Sequence, residues 1–232
     1  MKLQRGYLAD FVSLLFPQLC QCCGESLTGQ EALVCTACLY NLPYTNFHLS
    51  NDHVVAHQFW GKINIEAAYA MLYFTKGGNI QHLMHQFKYK GQRKIGNLLG
   101  RLAGGQLVLN PSFTDVDVII PVPLHKSRLR DRGYNQSKCF AEGIAEKIQA
   151  LVMDDNLIRT KATETQTKKS RIMRFENMKD VFELRNPALL VGKHVLLVDD
   201  IVTTGSTLEA CGSILLAVSG LRLSIATIAY AE

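Results

Sequence analysis

At 232 residues the chain has room for one sizeable core plus a small satellite, since single domains most often run to about 100–200 residues. With 47% hydrophobic and 19% charged residues, and no low-complexity tract or repeat, the composition is that of an ordinary soluble globular protein and argues against disorder. The net charge of +5 is too small by itself to require a nucleic-acid partner, although basic residues crowd two stretches, Lys126 to Lys138 and Arg159 to Arg174.

The opening run MKLQRGYLADFVSLLFPQLC resembles a secretion signal only superficially. Asp10 interrupts its apolar stretch, and Pro17, Gln18 and Leu19 are not the small residues a cleavage site requires. Leu8, Phe11, Val12 and Leu15 follow helical spacing instead, which predicts an amphipathic first helix. No stretch of about 18 uncharged apolar residues occurs, so no membrane span is expected and the protein is expected to be cytoplasmic.

Five of the seven cysteines follow at once, in CQCCGESLTGQEALVCTAC. Two CxxC pairs, Cys20 with Cys23 and Cys35 with Cys38, are separated by the eleven residues 24–34. Each CxxC turn aims two thiolates at one point, and two such turns build the tetrahedral sulfur cage that zinc favours. Four thiolates leave no open coordination position, which makes the expected zinc structural. Cys22 could replace a neighbour as ligand or remain a free thiol; CxxC spacing favours Cys23.

Residues 41–56 hold turn formers with little periodicity and read as a linker. AAYAMLYF (residues 67–74) predicts a strand, and the apolar spacing over residues 79–108 predicts two helices with a break near Gly91. DVDVIIPVP gives a short buried strand stopped by Pro121 and Pro123. A helix over 135–151, a strand at HVLLVDD, a helix at STLEACGSILLAV and a last strand at LRLSIATIAYA complete the pattern. This alternation predicts an α/β fold, a mostly parallel sheet with helices on both faces. The pairs His53/His57 and His82/His85 read as exposed loop or helix histidines without chemistry.

The stretch VLLVDDIVTTGSTLEAC carries the most chemistry. In open α/β sheets ligands bind beyond the carboxyl ends of strands, where DDIVTTGST falls. Backbone N–H groups of residues 203–207 would face a ligand at a helix N-terminus, whose dipole favours an anion. Gly205 lets the chain wrap closely, and Thr203, Thr204, Ser206 and Thr207 add hydroxyl donors. Asp199 and Asp200 would repel a phosphate, but carboxylates accept hydrogen bonds from vicinal hydroxyls or help position hydrated magnesium. A sugar bearing both a phosphate and free hydroxyls satisfies the turn and the acids together.

This segment resembles the signature of type I phosphoribosyltransferases, which bind phosphoribosyl pyrophosphate (PRPP). IIPVPLHKSRLRDRGYNQS resembles the pyrophosphate loop of the ComF family in its P-V-P-L turn and its Arg132, Gly133, Tyr134, Asn135, Gln136 continuation. The amphipathic start, Pro17, the two CxxC pairs, FKYKG and a polar stretch with Gln166, Arg174 and Asn177 extend that resemblance over most of the chain. It implies a phosphoribosyltransferase-like domain over residues 56–232, behind a helix and zinc-binding segment with linker over residues 1–55. It also implies that Asp199 and Asp200 contact the ribose hydroxyls and that Thr203, Thr204, Gly205, Ser206 and Thr207 grip the 5-phosphate. Leu124, His125 and Lys126 would leave the strand at the pyrophosphate, with Lys126, Arg128 and Arg132 neutralising it and magnesium accompanying the ligand. The polar, basic stretch TETQTKKSRIMRFENMKDVF, residues 163–182, corresponds in position to a mobile lid. The family further implies a part in natural competence, with single-stranded DNA and competence proteins at the inner membrane as partners. The alternative is an active transferase moving the ribosyl 5-phosphate of PRPP to an amine or base, for which no acceptor pocket is evident in the sequence.

Overall fold

The computed structural model describes residues 16–160 and 181–231. The expected first helix and the stretch Lys161 to Arg174 lie outside the described residues. Seven strands are described: β1 (Ala67–Tyr73), β2 (Val118–Pro121), β3 (Leu151–Val152), β4 (Leu157–Arg159), β5 (Phe182–Leu184), β6 (His194–Val202) and β7 (Arg222–Tyr230). Five of them form one sheet in the order β1-β7-β6-β2-β3, with every neighbouring pair parallel. β4 and β5 pair antiparallel as a separate ribbon on either side of residues 161–180.

The helices are α1 (Thr36–Tyr40), α2 (Val54–His57), α3 (Asn79–Tyr89), α4 (Arg93–Leu107), α5 (Lys126–Arg132), α6 (Gln136–Ile148) and α7 (Ser206–Leu215). A parallel sheet covered on both faces needs strands that are apolar throughout. β6 shows why: Leu196 and Val198 enter the core beneath α4 and α6, whereas Val195 and Leu197 enter the core beneath α7. On the first face Phe140, Ala141 and Ile144 of α6 are fully buried; on the second, Leu208, Cys211 and Leu215 of α7.

Glycines set how closely α4 and α6 approach. Gly96, Gly100 and Gly104 recur every four residues and so share one face of α4. A Cβ on Gly100 would lie 2.3 Å from the Phe140 carbonyl oxygen and 2.8 Å from Gly143 Cα, and one on Gly143 would lie 2.3 Å from the Asn97 carbonyl oxygen. Each helical glycine costs roughly 0.8–1.0 kcal/mol against alanine, which the backbone contact offsets.

Residues 41–56 are more ordered than a linker. They contain a 3-10 turn at Phe47–Leu49 and the start of α2, and Leu42, His48, His53 and Val55 are buried. His53 is therefore not an exposed loop histidine. Its Nδ1 accepts the Ala56 N–H at 3.3 Å, capping α2, its Nε2 reaches the Ala68 carbonyl at 3.0 Å, and its ring stacks on Phe47. Burial lowers its pKa. His82 and His85 are exposed on α3. Cys20, Cys22, Val34, Cys38 and Leu42 join the same apolar cluster as α3, α4 and α6, so the cysteine segment packs on the main core.

Candidate ribose-phosphate site

From β2 the chain crosses by α6 to β3 on one side, and from β6 it crosses by α7 to β7 on the other. The crevice beyond the carboxyl ends of β2 and β6 is thus the point where the winding reverses, the usual ligand position in open α/β sheets. Pro121 of β2 and Val198 of β6 pair there. The loop starting at Val122 and the acid pair starting at Asp199 therefore flank one opening.

Asp199 Oδ1 accepts the Ser137 hydroxyl of α6 at 2.9 Å and the backbone N–H of Asp200 at 2.8 Å. Asp200 Oδ2 receives the Lys88 ammonium of α3 at 2.7 Å, and both side chains of that pair are only 16–17% exposed. Burial, with the neighbouring Asp200 charge second, pushes the Asp199 carboxyl up to about 7. Among the described residues these contacts engage one oxygen of each carboxylate. Hard carboxylate oxygens suit magnesium in kind, but a metal on Asp200 would share that carboxylate with an ammonium already in contact.

Five residues further on the chain turns sharply. Gly205 holds φ +74°, the left-handed region that glycine enters without penalty, and caps the start of α7. Thr203 and Thr204 are exposed, and the Thr204 and Ser206 hydroxyls share a hydrogen bond of 2.9 Å. The turn is supported from below: Gln58 Nε2 donates to the Thr203 carbonyl at 2.7 Å, and a Cβ on Gly205 would stand 3.2 Å from the Phe59 ring.

Beyond β2 the expected loop is partly helical. His125 caps α5 by accepting the Ser127 N–H at 3.2 Å, and Gly133 at φ +74° ends it. Lys126, Arg128 and Arg130 are exposed on this helix. Arg132 turns back, donating to Gln136 Oε1 at 2.9 Å with its guanidinium 5.6 Å from the Tyr89 ring centroid. Asn135 Nδ2 donates to the Val122 carbonyl at 3.0 Å, tying the helix to the strand end. The structure thus brings Asp199, Asp200 and the 203–207 turn together on one strand end, with Leu124, His125 and Lys126 on the neighbouring strand's exit.

Three residues around this opening were not assigned by sequence reasoning. Lys88 lies inside FKYKG, whose sequence alone gives it no role. Ser137 follows the RGYNQ run directly, and its i+2 position behind the Asn135 cap was the available signal. Arg159 of β4 is half-buried, its guanidinium 5.4 Å from the Phe182 ring; burial first, then Arg128, lowers its pKa, while Cys211 and Asp199 oppose that shift.

The four expected metal ligands also converge. Sγ atoms of Cys20, Cys23, Cys35 and Cys38 all lie within 4.8 Å of one another, with Cys23 and Cys35 3.9 Å apart. A tetrahedron with Zn–S bonds of about 2.3 Å has S···S edges of roughly 3.8 Å, so the cluster could hold a metal. Burial opposes ionisation of Cys20, but N–H groups of Cys23, Cys35 and Cys22 outweigh it and lower its pKa to about 6, favouring the thiolate a metal takes. Gly24, at φ +82°, closes the first turn through its N–H on the Cys20 carbonyl at 2.9 Å. Cys22 stands outside the cluster, its thiol 3.6 Å from the Asn79 carbonyl.

The family model for the phosphoribosyl transferase domain matches residues 135–232. DNA utilization protein YhgH of Escherichia coli is 30% identical over 202 residues, spanning 85% of this chain and 84% of that one. Competence protein F of Haemophilus influenzae is 32% identical over 137 residues (57% and 60%), and competence protein ComFC of Bacillus subtilis 28% over 144 residues (62% and 56%). The chain belongs to the ComF family.

In this ComF-family chain the domain match takes in the acid pair and the turn, while α5 and the cysteine cluster precede it. The ribbon of β4 and β5 brackets the family's polar stretch; Gln166, Arg174 and Asn177 lie outside the described residues. No described helix is long and apolar enough to cross a membrane.

Proposed function

We propose that this ComF-family chain binds PRPP in the crevice between β2 and β6 and takes part in handling single-stranded DNA in the cytoplasm. One observation carries the reading: an acid pair on the carboxyl end of a central strand is followed at once by a hydroxyl-rich turn with glycine at positive φ. In this reading the amides and hydroxyls of Thr203, Thr204, Gly205, Ser206 and Thr207 hold the 5-phosphate. Asp199 and Asp200 accept the ribose hydroxyls. The main chain at Leu124, His125 and Lys126 receives the diphosphate, with the Lys126, Arg128 and Arg132 cations balancing its charge. Magnesium arriving with the diphosphate supplies further charge neutralisation when bound. Zinc on Cys20, Cys23, Cys35 and Cys38 is structural and stiffens a surface for competence proteins at the inner membrane.

The relatives' names, for DNA utilization and competence, support the DNA half. Exposed Lys126, Arg128 and Arg130 offer phosphate contacts, and such binding weakens steeply with salt through counterion release. Fluorescence anisotropy of a labelled oligothymidine across 25–200 mM salt tests it. A curve that stays flat to micromolar protein at low salt removes single-stranded DNA as a partner.

The second reading is catalytic, favoured by an acid pair, turn and cations that are all in place. An amine or base would form a bond to C1 of the ribose as the C1–O bond breaks and its electron pair leaves with pyrophosphate, whose developing charge Lys126, Arg128 and Arg132 stabilise. Pyrophosphate release that requires one particular amine or base decides for this reading.

A further inference from the structure

The last turn of α3 reaches both halves of the crevice with three successive residues. The Phe87 carbonyl accepts the Tyr134 hydroxyl, Lys88 contacts Asp200 at 2.7 Å, and Arg132 lies over the Tyr89 ring. Tyr134 and Arg132 belong to the segment leaving β2; Asp200 belongs to β6. Lys88 therefore stands where the diphosphate and ribose halves meet, on a helix anchored to each.

Its charge is well withdrawn from water, at 17% exposure against 16% for Asp200, so ions screen the pair poorly. Arg93 fixes the neighbouring ground, donating to the Gly133 carbonyl at 2.7 Å with its guanidinium 5.0 Å from the Tyr134 ring centroid. A divalent cation approaching Asp200 Oδ2 would meet an ammonium already 2.7 Å from that oxygen, and like charges at that range repel. An incoming anion meets the opposite field. Lysine is suited to both partners at once, because its three N–H donors can serve a carboxylate and a phosphoryl oxygen together.

We propose that Lys88 is a resident cation of the crevice, bridging Asp200 to a diphosphate oxygen of the bound sugar, so that the site takes a sugar diphosphate without an obligatory divalent ion. This rests on the crevice being a PRPP site. It makes Lys88 a ligand-binding residue rather than a support for Asp200 alone.

Equilibrium dialysis with radiolabelled PRPP separates the two. Wild type, Lys88→Met and Lys88→Arg are each dialysed in millimolar magnesium and in resin-treated, magnesium-free buffer, which withholds magnesium without a chelator that could strip a thiolate-bound metal. The wild-type Kd should rise by no more than about tenfold on omitting magnesium. Lys88→Met should raise that ratio a further tenfold or more, about the scale of one lost charge-assisted contact, and Lys88→Arg should restore most of it. A purely structural lysine would weaken binding equally in both buffers, so an unchanged ratio in Lys88→Met overturns the proposal. Wild-type binding seen only with magnesium also overturns it while leaving the PRPP site standing. Binding in neither buffer overturns both. Should Lys88→Met fail to fold, the wild-type pair of measurements decides alone.

Discussion

Gly205→Ala is the most informative single perturbation of the turn proposed to hold the 5-phosphate. At φ +74° an alanine pays for left-handed backbone, an effect of about 1 kcal/mol once the reduced freedom of the unfolded chain is credited. Its Cβ would also press on Phe59 at 3.2–3.3 Å and on Gln58 Oε1 at 3.4 Å. Gln58 is itself committed to the Thr203 carbonyl, so relief by moving it loosens the turn. Overpacking of this kind adds roughly 1–2 kcal/mol. Gly192 is the reference: it has φ +69°, has nothing within 4 Å of a built Cβ, and precedes β6 at the opposite end of the strand. At roughly 2–4 °C per kcal/mol for a domain of this size, Gly192→Ala should lower the melting temperature by about 2–4 °C and Gly205→Ala by about 4–12 °C. PRPP affinity should fall by about tenfold or more in Gly205→Ala and stay unchanged in Gly192→Ala. Equal melting temperatures with wild-type PRPP affinity in both would refute the support assigned to Phe59 and Gln58.

Asp199, with its carboxyl raised to about 7, favours the protonated folded state, so its contribution to stability is fully present below the ordinary aspartate range and is lost as pH rises through about 7. Asp199→Asn, which still accepts from Ser137, should therefore melt higher than wild type at pH 8 and nearly level with it at pH 4, by calorimetry at both values. In the proposed role the ionised carboxylate accepts the ribose hydroxyls, so the wild-type PRPP affinity should increase as pH rises from 6 to 8; a flat profile contradicts the role given to Asp199. Gly143→Ala forces a methyl to 2.3 Å from the Asn97 carbonyl oxygen and should cost about 3 kcal/mol, read as a lower denaturation midpoint at unchanged slope. Metal analysis should find one zinc per chain in wild type and in Cys22→Ser, and a loss of it in Cys23→Ser.

Four of the five sheet strands were legible because they are buried on both faces and therefore spelled as largely apolar runs, HVLLVDD and LRLSIATIAYA among them. β3 was not, because this two-residue edge strand leaves Leu151 exposed and Leu151 reads as the end of the preceding helix, which stops at Ile148. The acid pair and turn were legible for a different reason, since strand, carboxylates, glycine and hydroxyls follow one another along the chain. Long-range partners were not. Nothing near Asp200 in sequence announces Lys88, and Asp199 meets Ser137 only because α6 crosses the sheet beside β6. Helix α5 escaped notice because its sequence, KSRLRDR, has no buried face to impose a period. His53 read as exposed because its burial comes from capping a four-residue helix against β1, a contact set by tertiary packing.

Calorimetric titration of PRPP with magnesium into wild type and into the Asp199→Ala, Asp200→Ala double variant reaches the central claim most directly. The account predicts saturable one-to-one heat for wild type and a loss of about a hundredfold or more in affinity for the double variant, whose fold should survive by circular dichroism. Absence of heat with wild type, or equal affinity in the two proteins, would contradict it.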